Sequence, residues 1–199
     1  MKKLLTTILS LAAYAAVAVA APQVGKPAPE FTLTDSDGKP HNLSDFNGKV
    51  VVLEWLNHGC PFVKKHYDSG NMQSLQKKYT GQDVVWLSIV SSAPGKQGHM
   101  SAEDTNKTKA EKNAAPTAVL IDESGTVGKL YNAKVTPELF IIGKDGVLAY
   151  AGAIDDKKST AAEDVKGAKN YVSQALDEVL AGKPVSEPSS TAYGCSVKY

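Results

Sequence analysis

Two continuous apolar runs constrain the fold of this chain more than any other feature of its sequence. Residues 50–56 (VVVLEWL) and 84–90 (VVWLSIV) are rich in β-branched and aromatic side chains, as strands buried on both faces are. Between them, residues 62–79 repeat apolar side chains at helical spacing, and Ser69-Gly70-Asn71 are expected to kink or divide this helix. This order of strand, helix and strand predicts a right-handed βαβ unit with parallel strands.

The other periodic segments complete an α/β fold around this unit. Each is bounded by turn residues, and together they predict a mixed central sheet flanked by helices. In chain order they are an N-terminal β-hairpin (residues 31–43), an inserted polar helix capped by Ser101 (101–113), a third strand (118–122) with a short helix after it, a second hairpin (139–151) and a final amphipathic helix (162–180).

The first twenty residues are typical of a secretory signal peptide. Two lysines precede an Ala-rich apolar stretch that ends in small residues, which predicts cleavage after Ala20. The alternative, an N-terminal transmembrane anchor, would use the same stretch. Cleavage would leave a domain at 21–182 and a flexible tail at 183–199 that carries Cys195, with no stable membrane anchor. We expect the product in the periplasm or secreted, under oxidising conditions.

Composition excludes several classes of function. The formal net charge is +1, from 22 basic and 21 acidic side chains, so no charge excess points to nucleic acid or an anionic membrane. All of the basic side chains other than histidine are lysine, because the chain contains no arginine. Two cysteines are too few for a disulfide-rich scaffold or a four-cysteine zinc site. Cysteine chemistry becomes the main question.

Cys60 lies where the first predicted strand passes into the following helix. Backbone N–H groups of a helical first turn favour the thiolate, which is the nucleophilic form of cysteine. Pro61 suits the first helical position, and Gly59 allows a close backbone turn. Asn57 and His58 complete the loop, with His58 as a candidate hydrogen-bonding neighbour of the sulfur. The alternative is a small, buried, inert cysteine.

Five segments, spread over nearly the whole chain after residue 20, carry a resemblance to a known family. They are residues 25–31 (GKPAPEF), 55–67 (WLNHGCPFVKKHY), 135–140 (VTPELF), 150–156 (YAGAIDD) and 193–198 (YGCSVK). The chain resembles the thioredoxin-like superfamily, in its redoxin branch of peroxiredoxins and extracytoplasmic thiol-disulfide oxidoreductases. It is most similar there to the peroxiredoxin-like, AhpC/TSA-related redoxin-domain proteins.

The resemblance implies a thioredoxin-like fold and a thiol-dependent oxidoreductase without a bound organic cofactor. It implies that Thr136-Pro137 is a cis peptide facing a nucleophilic Cys60, with backbone beside the proline that pairs with substrate. Cys195 becomes the candidate resolving cysteine. The implied partners are protein or small-molecule disulfides, peroxides as slower substrates, and a periplasmic thiol reductant.

Two departures from the related families matter. Val63 stands where thioredoxins carry the second cysteine of Cys-x-x-Cys, so Cys60 has no neighbouring thiol to resolve a mixed disulfide. Leu53 and Asn57 replace the proline and the threonine or serine of the peroxiredoxin motif, and the arginine that polarises the peroxide is missing. Lysine cannot supply the planar donor fork of arginine, so peroxidase activity is expected to be weak or absent.

Alternatives remain for the cysteine pair. Cys60 and Cys195 could pair reversibly, form a static structural disulfide, or stay apart, and sequence does not measure their separation. A static bond would suit a non-enzymatic binding module. A further alternative is a copper carrier, with His58, Cys60 and His66 as ligands.

Overall fold

The computed structural model describes residues 21–199, and the predicted signal peptide lies outside these residues. Nine strands and five α-helices follow one another along this part of the chain. The strands are β1 (Thr32–Asp35), β2 (Pro40–Asn42), β3 (Val51–Trp55), β4 (Val85–Val90), β5 (Ala118–Ile121), β6 (Val135–Thr136), β7 (Glu138–Ile142), β8 (Leu148–Gly152) and β9 (Cys195–Ser196). The helices are α1 (Pro61–Asp68), α2 (Asn71–Thr80), α3 (Ala102–Glu111), α4 (Thr126–Leu130) and α5 (Tyr171–Leu180).

Seven strands form one mixed sheet in the order β2-β1-β5-β4-β3-β7-β8. The two apolar runs, β3 and β4, are adjacent and parallel, with Val51 opposite Val85. On its other side β3 pairs antiparallel with β7, which forms a hairpin with β8. The predicted βαβ unit, the two hairpins and the α/β class with a mixed sheet are therefore confirmed.

The two faces of the sheet bury separate apolar cores, which explains why β3 does not alternate with polar residues. Val51, Leu53 and Trp55 face a core that also holds Tyr131 and Phe140. The neighbouring side chains of the strand face a second core, filled largely by α1, α2 and α5. All five β3 side chains are consequently buried.

The predicted helix over 62–79 is divided at Gly70, whose φ of 74° lies in the left-handed region. The division into α1 and α2 agrees with the kink expected at this point. Ser101 caps α3 by accepting a hydrogen bond from the Asp104 N–H group. Among residues 21–199, no helix combines the length and apolar character that a membrane crossing requires.

The prediction of one continuous helix over residues 162–180 is wrong. A 3-10 segment covers Ala162–Gly167, and α5 begins only after Asn170, whose side chain accepts the Ser173 N–H. Residues 168–170 are extended because Asn170 forms a β-bridge with Asp155, and the Lys169 N–H donates to the Asp156 carboxylate at 2.9 Å. These tertiary contacts override the helical periodicity.

The prediction of a flexible C-terminal tail is also wrong. β9 pairs antiparallel with β6, placing Cys195 opposite Thr136. The Val197 N–H donates to the Lys134 carbonyl at 3.0 Å. The tail therefore lies against the domain as an added strand, which brings the second cysteine to the first.

A buried carboxyl in β3 was not identified from the sequence. Glu54 is fully buried and accepts hydrogen bonds from Tyr67, Gln76, Trp86 and Ser88. Burial raises its pKa above the ordinary value of 4.5, and the four donors offset only part of that effect. Glu54 is thus a polar centre within an otherwise apolar layer.

This raised pKa predicts a pH-dependent stability that Glu54→Gln removes. The folded carboxyl holds its proton at pH values where the unfolded one, near 4.5, has lost it, so stability falls as pH rises above about 4.5. The wild type should lose stability relative to E54Q between acidic and neutral pH, measured by urea unfolding. Parallel pH curves for the two proteins would contradict this prediction.

Candidate active site

Cys60 occupies the junction between β3 and α1, as the sequence predicts. It is the residue immediately before α1, Pro61 is the first helical residue, and the cysteine side chain is fully buried. Its backbone is extended, with φ −81° and ψ 126°. The sulfur therefore lies beside the first turn of a helix, close to its free N–H groups.

The structure brings together four of the site residues predicted from the sequence: Cys60, Cys195, Thr136 and Pro137. The sulfurs of Cys60 and Cys195 are 2.7 Å apart, although 135 positions separate the residues, and both are thiols. The Cys60 thiol donates to the Thr136 carbonyl at 3.1 Å. The Thr136-Pro137 peptide is cis, as the resemblance implies. A small movement would bring the sulfurs to the bonding distance of about 2.05 Å.

The two thiols differ in acidity. Burial opposes ionisation of Cys60, but hydrogen bonds outweigh it and lower the pKa of this thiol; they come from the Cys195 thiol, the N–H groups of Val63 and Cys195, and Thr136. Burial and the neighbouring Cys60 sulfur raise the pKa of Cys195 to about 11. Cys60 is consequently the thiol of the pair that ionises more readily.

A hydrogen-bonded loop holds the residues before Cys60. The Asn57 side chain accepts the Gly59 N–H at 2.8 Å and donates to the Gln97 carbonyl at 3.0 Å. The Gln97 side chain donates in turn to the Gly59 carbonyl at 3.2 Å. Gln97 was missed because nothing in its sequence context distinguishes it from an ordinary loop residue. Asn57 and Gly59 therefore help to fix the position of Cys60 by holding the backbone of the loop before it.

The two histidines of the copper hypothesis do not form a ligand set with Cys60. The His58 ring packs edge-on against Tyr67, and burial lowers its pKa to about 4. His66 is buried, with one ring nitrogen 2.9 Å from the Asn71 amide. Within residues 21–199 no three His, Cys, Asp or Glu side chains converge as metal ligands would, so the structure does not bring His58, Cys60 and His66 together.

The expected hydrogen-bonding role of His58 toward Cys60 is not seen. No hydrogen bond joins the two side chains in the described part of the chain, and His58 packs instead against the Tyr67 ring, with centroids 4.8 Å apart. The Tyr67 hydroxyl donates a hydrogen bond to Glu54, so His58 packs against one member of the buried polar network of β3.

Thr136→Val is predicted to raise the pKa of Cys60. The buried Thr136 hydroxyl has no other hydrogen-bond partner, so it is available to the Cys60 thiolate, which it favours. A hydrogen bond to a charged group contributes about 1.5 kcal/mol, so we expect roughly tenfold slower alkylation of Cys60 at neutral pH. The pH dependence of iodoacetamide modification measures this. Thr136→Ser keeps the hydroxyl and should resemble the wild type; equal profiles for both variants would refute the role.

Comparisons with known proteins agree with this geometry. The model of the AhpC/TSA family matches residues 24–151. The thiol-disulfide oxidoreductase ResA of Bacillus thuringiensis subsp. konkukian is 30% identical over 127 residues, which cover 62% of this chain and 66% of ResA. The chain thus spans slightly less than two thirds of that relative.

Solved structures extend the similarity over most of the chain. The crystal structure of an uncharacterized conserved protein from Geobacillus kaustophilus has a TM-score of 0.74 and 30% identity, covering 89% of this chain and 92% of that one. The exposed lipoprotein thioredoxin of Streptococcus pneumoniae has a TM-score of 0.50 and 28% identity, covering 62% and 87%. The fold is thioredoxin-like, as expected, and the chain belongs to the AhpC/TSA family.

Proposed function

We propose that this protein is an exported thiol-disulfide oxidoreductase in which Cys60 is the nucleophile and Cys195 the resolving cysteine. The observation that carries the proposal is the 2.7 Å contact between the two sulfurs beside the cis Thr136-Pro137 peptide. The lowered pKa of Cys60 and the raised pKa of Cys195 support this division of roles. The relative ResA is named a thiol-disulfide oxidoreductase, which supports the same class of reaction for this chain.

The proposed cycle uses two exchanges. The Cys60 thiolate attacks one sulfur of a protein or small-molecule disulfide; that S–S bond breaks, and the other sulfur leaves as a thiolate that takes up a proton. Cys195 then loses its proton and attacks the Cys60 sulfur; the mixed S–S bond breaks, and the substrate sulfur leaves as a thiolate that takes up a proton. Two electrons pass to the substrate, the Cys60–Cys195 disulfide forms, and an external dithiol carrier reduces it again.

Export is supported by the pattern of residues 1–20, with cleavage after Ala20 and release into the periplasm or the medium. The pneumococcal structural relative is described as an exposed lipoprotein. An oxidising compartment suits the proposed chemistry, because a disulfide formed there persists until a dedicated carrier reduces it.

Peroxide is proposed as a poor substrate at best. Leu53 and Asn57 stand where peroxiredoxins carry motif residues, and no arginine is available to polarise an O–O bond. The Cys60 sulfur also contacts the Cys195 sulfur and the Thr136 carbonyl, which restrict the approach of a peroxide.

A static disulfide in a non-enzymatic binding module is the second candidate, favoured by the close packing of the tail. Equilibrium titration with dithiol buffers, read by alkylation and mass, separates the two. A catalytic pair should have a midpoint above about −300 mV, as labile disulfides do, and a structural bond one below it. Cys195→Ser is the control that cannot form the bond. A midpoint far below this value would contradict the oxidoreductase.

A further inference from the structure

The resemblance already implies that the backbone beside the cis proline pairs with substrate; we propose that the tail occupies this docking groove at the edge of β6 as an intramolecular copy of the substrate strand. When the tail leaves, the groove takes an extended polypeptide substrate whose reactive cysteine follows a glycine and, one position earlier, an aromatic residue. This inference rests on the proposed oxidoreductase function and specifies its substrate class. Three features of residues 193–197 support this inference.

The first feature is backbone pairing beside the reactive sulfur. Val135 and Thr136 pair antiparallel with Ser196 and Cys195, and the Val197 N–H extends the ladder to the next carbonyl. Main-chain pairing gives affinity for any extended strand, whatever its sequence. The tail occupies this edge, so a substrate strand can pair there only after the tail has moved away.

The second feature is the glycine before the cysteine. Gly194 has φ 153°, and a β-carbon on it would overlap the carbonyl oxygen of Thr136. A larger residue would push the strand away from β6 and carry the next sulfur away from Cys60. The groove therefore selects glycine immediately before the reactive cysteine.

The third feature is a polar pocket for an aromatic side chain. The Tyr193 ring packs edge-on against Phe62, with centroids 5.7 Å apart, and its hydroxyl donates to the Asp155 carboxylate. Lys65, itself only 2% exposed, lies 3.4 Å from both the Asp155 carboxylate and the Tyr193 hydroxyl.

This pocket favours tyrosine over an aliphatic residue. A buried ion pair that loses a hydrogen-bonding neighbour is costly, so Lys65 and Asp155 are best satisfied when another phenol replaces that of Tyr193. A tyrosine two positions before the cysteine supplies both the ring and the hydroxyl. Anchors of this kind commonly dominate the affinity of a peptide for its groove.

Because the tail and the substrate strand bind the same groove, the returning tail also displaces the substrate strand. While the substrate strand is paired with β6, the Cys60 thiolate attacks the sulfur of the strand's oxidised cysteine. The substrate S–S bond breaks, its other sulfur leaves as a thiolate that takes up a proton, and the mixed disulfide forms. When the tail returns, Cys195 attacks the Cys60 sulfur, the Cys60–Cys195 bond forms, the mixed S–S bond breaks, and the substrate leaves as a thiol. Resolution and release of the substrate strand then occur in one movement.

The test uses full-length Cys195→Ser and a Cys195→Ser/Tyr193→Ala double variant. The probes are a peptide with the sequence of residues 190–199, the same peptide with alanine in the place of Tyr193, and glutathione, each carrying 5-thio-2-nitrobenzoate on its cysteine. Attack by Cys60 on the cysteine sulfur breaks the bond to thionitrobenzoate, whose release is followed by absorbance. Cys195→Ser/Tyr193→Phe, which keeps the ring, serves as a milder double variant.

We expect the double variants to react about tenfold faster with the tyrosine peptide than with the alanine peptide. Cys195→Ser, whose tail still fills the groove, should react more slowly with the tyrosine peptide than either double variant. Equal rates for the two peptides would overturn the proposal. So would a double variant that reacts with the tyrosine peptide no faster than Cys195→Ser does. If glutathione and both peptides all fail to react, the proposed function itself fails.

Discussion

Cys60→Ser is expected to reduce disulfide exchange by on the order of a thousandfold, because a serine hydroxyl does not ionise at neutral pH and is a poor nucleophile toward sulfur. Cys195→Ser should behave differently. Its Cys60 still attacks, but no thiol lies 2.7 Å away to complete the second exchange. Turnover therefore stops at a mixed disulfide, visible as a mass increase that a reductant reverses.

The two variants serve as controls for each other. Both remove one sulfur from the same contact, so a difference between them reports the order of the chemical steps and not the loss of packing. Unchanged turnover in Cys60→Ser would end the proposal. Trapped adducts on Cys195 instead of Cys60 would reverse the assigned roles.

Gly194→Ala is expected to slow formation of the Cys60–Cys195 disulfide by about a hundredfold. The new β-carbon overlaps the Thr136 carbonyl oxygen, and φ 153° is strained for alanine, so β9 must separate from β6. Pairing with β6 holds the Cys195 thiol at a high effective concentration beside Cys60, and a loosened tail lowers that concentration. Rapid alkylation after addition of a small disulfide measures the rate.

Gly167→Ala is the matched control for this substitution. A β-carbon at Gly167 meets nothing within 4 Å, and its backbone needs no left-handed conformation. This variant should form the disulfide at the wild-type rate. Equal rates for Gly167→Ala and Gly194→Ala would show that pairing of the tail with β6 does not position Cys195.

The centre of the fold could be predicted because its signals are local. The apolar runs of β3 and β4, the helical spacing between them and the turns of both hairpins each lie within a short window of sequence. The final helix was overestimated because its beginning is set by the bridge between Asp155 and Asn170, a contact that periodicity does not report.

The candidate site was predictable only in part. The setting of Cys60 followed from the strand-to-helix transition, whereas the cis Thr136-Pro137 peptide came from family resemblance alone. The position of the tail depends on strand pairing between Thr136 and Cys195, which are 59 positions apart, and no local pattern encodes such a contact. Lys65 was missed because lysine is ordinarily exposed, and its burial becomes favourable only beside Asp155.

The central claim, that Cys60 and Cys195 form a working redox pair, is tested most directly by a single turnover. The fully reduced full-length protein is mixed with one equivalent of a protein disulfide, quenched in acid, alkylated and mapped by mass spectrometry. We predict one Cys60–Cys195 disulfide for each substrate disulfide reduced. Both cysteines recovered as alkylated thiols, or disulfides found only between separate chains, would contradict the claim.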